Sequence, residues 1–355
     1  MWFQLKIPGS LLASYLVLSA CAGVDNKPVA ATTSTTSITM LASGTAPAHQ
    51  TTTTIKLGWH TAPPVPINTQ AMVAIHLDPT GPTVIHATAQ NWERLSNLIA
   101  IADTFGHKLT LLMSSDWADL VAADHARQTS LQTWVNNGHQ LGFHHHTCGH
   151  TSPDGYTDIK NPCRGAASRG SVADAFAKVQ DLVLSLNLPP ITIAAQGPNT
   201  DGLYRAAEWQ PGVNFATGIM ADNTDGHPDH RFITQPRCAT DYGNSYAGQP
   251  GQYLVAELGH AQLNVGAFAR IQTDNNLAAL THEIIQVTVG DHAQTAVNLG
   301  VVFHAREYTA TPRNESSDDY RTDRDYLDAV LQIFADQRIP VVTAQEILET
   351  SNPCR

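Results

Sequence analysis

Five histidines crowd one short stretch of this 355-residue chain: Gly138-His139-Gln140-Leu141-Gly142-Phe143-His144-His145-His146-Thr147-Cys148-Gly149-His150. A neutral imidazole is a good ligand for a divalent metal and a good proton shuttle near neutral pH. His146 and His150 are four apart. On a turn leaving a strand, both rings could face one point, as a bound cation requires. A third ligand must come from elsewhere, and a carboxylate is the natural candidate. Asp78 closes the apolar run Met72-Val73-Ala74-Ile75-His76-Leu77, and strand alternation puts His76 on its face. His304 closes a second such run, Val301-Val302-Phe303. Blander readings stand beside these: His76 and His304 as hydrogen-bonded core histidines, His144 and His145 as supporting or alternative ligands, and other histidines as solvated loop residues.

The elements that must position these groups follow from hydrophobic period. Met72 to Asp78 reads as a buried strand, and Trp92, Leu95, Leu98, Ile99 and Ala102 recur at helical spacing. Lys108 to Met113 is a strand, followed by helices around Trp117 and over Leu131 to Asn136. Strand His139 to His146, helix Val172 to Leu186 and strand Ile191 to Ala195 continue the alternation. Residues Gly197 to Gln252 carry little pattern. Helix Leu277 to Val289, strand Gly300 to His304, helix Tyr326 to Gln337, strand Pro340 to Thr343 and a short helix complete the chain. Strands alternating with helices imply a parallel α/β sheet, open or closed into a barrel. In either case chemistry gathers at the C-terminal ends of strands. Asp78, His146 and His304 all fall at such ends.

Composition narrows the partners. With 42% hydrophobic residues the chain can build a core, and 20 Lys+Arg against 31 Asp+Glu leave a net charge of -11. That balance argues against nucleic acid, which needs clustered cations. Residues 1–20 read as a signal peptide, with an apolar run from Leu11 to Leu18. Leu18-Ser19-Ala20-Cys21 resembles the bacterial lipobox, making Cys21 the expected lipidation site and a membrane anchor. The Thr/Ser-rich segment within residues 21–54 is expected to be a flexible tether, with the folded domain over 55–355. The location implied is the bacterial cell envelope, outside the cytoplasm. Cys148, Cys163, Cys238 and Cys354 suggest two disulfides, with Cys148–Cys163 the simplest pairing.

The same residues resemble the motifs of a known family, the polysaccharide deacetylases of the carbohydrate esterase family 4 type. His146-Thr147-Cys148-Gly149-His150 is similar to the family's His-Thr-x-x-His, and Gly138 to Gly142 to its approach strand, with two residues inserted between. His76-Leu77-Asp78-Pro79-Thr80-Gly81-Pro82 is similar to Thr-Phe-Asp-Asp-Gly-Pro, with one of the two Asp residues missing. Val301 to His304 resembles the family's apolar strand ending in Leu-His; Gln196-Gly197-Pro198 resembles its Arg-x-Pro, without the Arg. The resemblance implies a distorted (β/α) barrel and a divalent metal, usually zinc, held by one Asp and two His. It implies hydrolysis of an N- or O-acetyl group on a carbohydrate, with a metal-activated water, a carboxylate base and a His general acid. Carried over, His146 and His150 are metal ligands and His304 the general acid. Asp78 is either the carboxylate ligand or the base, and in the second case His76 takes the vacant ligand position. Arg306 and Glu307 could orient His304, and Asp154, Tyr156 and Trp209 could line a sugar site. The missing Asp and Arg leave a second expectation open, a catalytically silent glycan-binding lipoprotein; a histidine-rich metal-capturing lipoprotein is a third.

Overall fold

In the computed structural model, residues 69–80, 87–148, 153–158, 167–196, 210–219, 232–234, 236–239, 255–262, 280–282, 297–304 and 323–351 are described, with single residues 85, 150, 284 and 354. The expected signal peptide, Cys21, the tether and residues 55–68 lie outside them, as do Cys163, Trp209, Arg306, Glu307, His86, His227, His230 and His292. Among the described residues no helix is long and apolar enough to cross a membrane.

Among the described residues nine strands form one sheet: β1 Thr69–Leu77, β2 Thr110–Met113, β3 Gln140–His145, β4 Ile193–Gln196, β5 Phe215–Ile219, β6 Ile233–Thr234, β7 Arg237–Ala239, β8 Val255–Gln262 and β9 Val297–His304. Seven of them run parallel in the order β9-β1-β2-β3-β4-β5-β8. A further parallel pairing of Ala261 and Gln262 with Val301 and Val302 closes the ring. The barrel is distorted at that seam. The start of β9 pairs antiparallel with β6, and its middle, at Val301 and Val302, meets the end of β8. β7 flanks β8 antiparallel.

Both faces of these strands are buried, so their sequences are nearly continuous apolar runs and alternation alone sorts the side chains. Odd-numbered residues of β1, from Ala71 to Leu77, join the main core under the helices. That core includes Trp92, Leu95, Leu98, Ile99 and Ala102 of α1 (Ala89–Thr104), Trp117 of α2 (Ser115–Ala122) and Trp134 of α3 (His125–Asn136). Val179 and Val183 of α4 (Val172–Ser185) and Leu331 and Phe334 of α5 (Asp323–Asp336) complete the layer. Trp92 and Trp134 stack with ring centroids 4.6 Å apart. The alternate residues point into the barrel: Met72, Ala74, Leu112, Ile193, Ala195, Phe215 and Val302 form a second, smaller cluster.

Helix α6 (Ala344–Thr350) supplies Ala344, Ile347 and Leu348 to that interior cluster. Its Thr343–Glu346 capping box and the Ala344 amide bond to Thr110 Oγ1 seat it beside the start of β2. One end of the barrel interior is therefore apolar and plugged. Residues 340–343, expected as a strand, make only a single bridge, Val341 to Ala71. Cys354, half-buried against the same cluster, is disulfide-bonded to Cys238.

The segment expected to lack pattern contains β5, β6 and β7, and β8 follows it. The short lengths of β5, β6 and β7 and the surrounding Gly/Pro-rich chain conceal the period. His107, expected to be solvated, is buried and its Nε2–H donates to the Leu331 carbonyl at 3.0 Å. His139 is buried as well. The Leu109 amide donates to its Nδ1 at 2.9 Å, so Nε2 carries the proton and faces Asp103 Oδ1 at 3.0 Å.

Two outcomes follow from this packing. Burial lowers both His107 and His139 from 6.5, the Leu331 carbonyl and Asp103 opposing it respectively, so the unfolded chain takes up protons first as pH falls. Stability should be level above about pH 6.5 and decline below it, by at most ~1.4 kcal/mol per pH unit for each group. Urea midpoints from pH 7.5 to 5 check this, and His107→Gln should flatten the decline. At Gly142 an added Cβ would lie 2.6 Å from Leu112 Cδ2 and 2.7 Å from Ile193 Cγ2. Gly142→Ala should therefore cost ~1–3 kcal/mol of unfolding free energy.

Candidate metal centre

At the end of the barrel opposite the plug, several interior positions are histidines. Register sets their heights. His76 of β1 lies directly beside His304 of β9 and level with Leu112 of β2, which is level with Gly142 of β3. His144 is therefore one interior position higher on β3, beside Ala195 of β4. Asp78 is one position above His76. Below this tier come Ala74 and Val302, again side by side.

The backbone around Asp78 is held from three sides. Trp117 Nε1–H donates to the Asp78 carbonyl at 3.0 Å, the Ser114 amide to Leu77 O at 3.3 Å, and the Thr80 amide to Asp116 Oδ2 at 2.8 Å. Asp116 also pairs with both terminal nitrogens of Arg169, at 2.7 and 3.1 Å. Arg169 in turn lies 4.6 Å over the Tyr156 ring. Loops that follow β1 and β3 are thus tied together.

The Asp78 side chain, 1% exposed, has Oδ1 3.4 Å from His144 Nε2 and 3.4 Å from His146 Nε2. One donor atom from each of these residues lies within 4.8 Å of the other two; the same holds for His76, Asp78 and His304. His76 and His144 ring centroids are 4.2 Å apart, and His76 and His304 meet edge to face at 5.0 Å. A lone buried carboxylate is expensive, and four imidazoles compensate it. Burial alone would raise Asp78. The charge of His304 and the contact with His146 oppose that, and the carboxyl is held well below the usual carboxylate range. Burial drives His144 down to about 4, against the pull of Asp78, so it is a neutral imidazole at pH 7.

This donor set fits a cation. His144 Nδ1 faces the Ala195 carbonyl at 3.1 Å, which can only accept, so Nδ1 carries the proton and Nε2 turns a lone pair toward Asp78. A lone pair facing a carboxylate oxygen needs positive charge between them. Ligand atoms ~2.0–2.1 Å from a tetrahedral zinc are about 3.4 Å from one another. The observed Oδ1 to Nε2 separations have that length.

His146 follows β3 and is positioned by Asp154. Asp154 Oδ2 accepts from His145 Nδ1 at 2.8 Å and from the His146 amide at 3.4 Å, while Oδ1 accepts the Tyr156 amide at 2.9 Å. Burial pushes Asp154 up, but the charge and hydrogen bond of His145 reverse it, so the carboxyl is lowered. Sequence reasoning missed this role. Asp154 and Tyr156 are 3% exposed and packed under Arg169, so they form no open sugar wall. His145 faces the helix layer with Phe143, as alternation requires.

The structure brings together Asp78, His76, His144, His146 and His304. His150 is half-buried, its ring 3.7 Å from that of His146, and belongs to neither converging group. Cys148, between them in sequence, is disulfide-bonded; Cys163, its expected partner, is not among the described residues. Gln196 ends β4, and Gly197 and Pro198 lie outside the described residues. The alternation signal that selects His144 was available: it shares its strand face with Gly142, and His145 does not.

No family model and no curated protein matches this chain. Solved structures do. A peptidoglycan deacetylase from Bacillus subtilis matches at 12% identity and a TM-score of 0.37, over 81% of this chain and 93% of that one. A pseudoenzyme of the CE4 family from Bacillus anthracis matches at 11% and 0.38, over 80% and 66%. A 4-alpha-glucanotransferase from Thermococcus litoralis matches at 11% and 0.42, over 79% and 38%. Likenesses this distant carry no argument about activity, so the chemistry rests on the residues themselves.

Asp154→Ala removes an acceptor from three donors at once. It should lower the unfolding free energy by ~1–3 kcal/mol and weaken divalent-metal binding about 10–100-fold through the loosened His146. Competition with a chromophoric chelator measures the second effect; unchanged affinity would show that Asp154 does not position His146.

Proposed function

We propose that this chain is a metal-dependent hydrolase that removes N- or O-acetyl groups from a carbohydrate. The observation that carries the metal is the placement of Asp78 Oδ1 at 3.4 Å from both His144 Nε2 and His146 Nε2 in a buried site at the strand ends. Asp78, His144 and His146 would hold the cation, with zinc favoured by two imidazoles and a carboxylate. His150, the second imidazole implied by the motif resemblance, is assigned to the flank of His146. The acetyl and carbohydrate specificity rests on that motif resemblance over residues 76–82, 138–150 and 301–304.

A bound cation of this kind supplies Lewis acidity, polarising an acyl oxygen and acidifying water. Asp78 and its two histidines would keep that chemistry at the barrel mouth. His304, 7% exposed and beside the Asp78 carboxylate, is placed to hold a proton and deliver it to the departing sugar nitrogen or oxygen. Trp117 and Ser114 keep the β1 end from shifting as charge develops. The apolar plug from α6 excludes water from behind.

A second reading, a glycan-binding protein without catalysis, is favoured by one observation. Among the described residues no second carboxylate joins Asp78 in either converging group, so a separate base is not evident. For localisation we favour an exported lipoprotein: a lipid at Cys21 and a tether through residue 54 would hold the domain at a bacterial membrane surface.

Purified protein should carry zinc that is lost in a His144→Ala, His146→Ala variant, and should release acetate from acetylated chitooligosaccharides or peptidoglycan fragments. His304→Ala should lower the rate about 10²–10⁴-fold with the His144–His146 zinc retained. Glycan binding without acetate release would establish the second reading, and zinc-free wild-type protein would sink the first.

A further inference from the structure

Asp78 belongs to two converging groups, and the second has no assigned ligand. His76, Asp78 and His304 each offer a donor atom within 4.8 Å of the other two, and all three are buried. The set arises from backbone geometry. His76 is near the end of β1, Asp78 lies two residues on, just past that end, and His304 is the register partner of His76 on β9. Neighbouring strands ~4.8 Å apart carry same-face side chains toward a common point. Leu112, level with His76, packs over Gly142 on the side of β2 and β3, while Ala74 and Val302 form the apolar floor of this tier. Among the described residues no single group unites this histidine pair with His144 and His146. The two pairs therefore define two centres that share one carboxylate.

We infer that the barrel mouth holds a second divalent-cation site, formed by His76, Asp78 and His304 and bridged to the first by Asp78. This rests on the reading of Asp78, His144 and His146 as the first site. Two imidazoles and a carboxylate oxygen suit zinc or another imidazole-preferring transition metal. Carboxylate-bridged pairs of this kind are a standard arrangement for metals a few ångströms apart. One carboxylate shared by two dications leaves them mutually repelling, so the second ion binds more weakly than the first. Its binding also removes the lone pair that His304 needs to carry a proton. Excess metal therefore silences the hydrolase that a single metal activates.

The experiment counts zinc per chain after equilibrium dialysis of the full-length protein, comparing wild type with paired variants. The difference between proteins cancels any zinc held elsewhere. A His76→Gln, His304→Gln variant should carry one zinc fewer than wild type, and so should His144→Gln, His146→Gln. Asp78→Asn should carry two fewer. Cobalt titration followed by visible absorption should show two steps in wild type and one in either paired variant, and near-UV circular dichroism checks that each folds. If wild type shows a single cobalt step and the His76/His304 variant loses no zinc, the second site is overturned and the first stands. If only the His76/His304 variant loses zinc, the deep site stands and the His144/His146 assignment falls. Loss in neither overturns both.

Discussion

Everything at the mouth of this barrel depends on keeping one carboxylate ionised out of water. Asp78 is buried, and burial by itself favours its protonated form. The strands answer with imidazoles on two sides, His76 and His304 from β1 and β9, His144 and His146 from β3. A chain that places four histidines around one Asp in the interior of a parallel sheet has exchanged apolar packing for chemistry at that tier. The exchange is tolerable because the opposite end compensates. There Met72, Ala74, Val302 and the plug residues of α6 fill the interior with ordinary apolar contacts.

The site is precise because its supports are rigid. His144 is on a strand, and its tautomer is set by a main-chain carbonyl of the next strand. Asp78 sits one residue beyond a strand, and Trp117 clamps its carbonyl from the helix that follows β2. His146 is on a loop and needs more help, which Asp154 supplies by gripping both the preceding side chain and the His146 amide. The Asp116–Arg169 pair is partly exposed and adds little stability on its own. Its worth is geometric, since it joins the loop after β1 to the loop after β3. Pre-organisation of this kind is what a metal or a transition state exploits.

The distorted seam has a related consequence. β9 is shared between β6 near its start and β8 at Val301 and Val302, so the barrel is drawn closed one interior position below His304. His304 is then delivered beside His76 by simple register, without any long-range side-chain network. A strand end is fixed more firmly than a loop, and both histidines of the deeper tier come from strands.

Much of this was legible in the residues. Period and length located β1, β3, β9 and most helices, and strand-end position singled out Asp78, His146 and His304 without knowledge of the fold. Those are local properties, set by alternation and by apolar runs that cannot stay in water. Other features were not local. Whether His144 or His150 converges on Asp78 depends on how β3 is registered against β1 and β4, a choice made by packing across the sheet. Asp154 acts through a loop that returns to its own strand, and no spacing rule announces that contact. The burial of His107 is decided by α5, more than two hundred residues away. β5 to β7 lack a clear period because short strands in a Gly/Pro-rich stretch owe their shape to neighbours already in place. The sequence by itself determined which groups could do chemistry and which strands would carry them. Only the tertiary structure decided which of those groups meet, because meeting is a matter of register and closure between segments far apart in the chain.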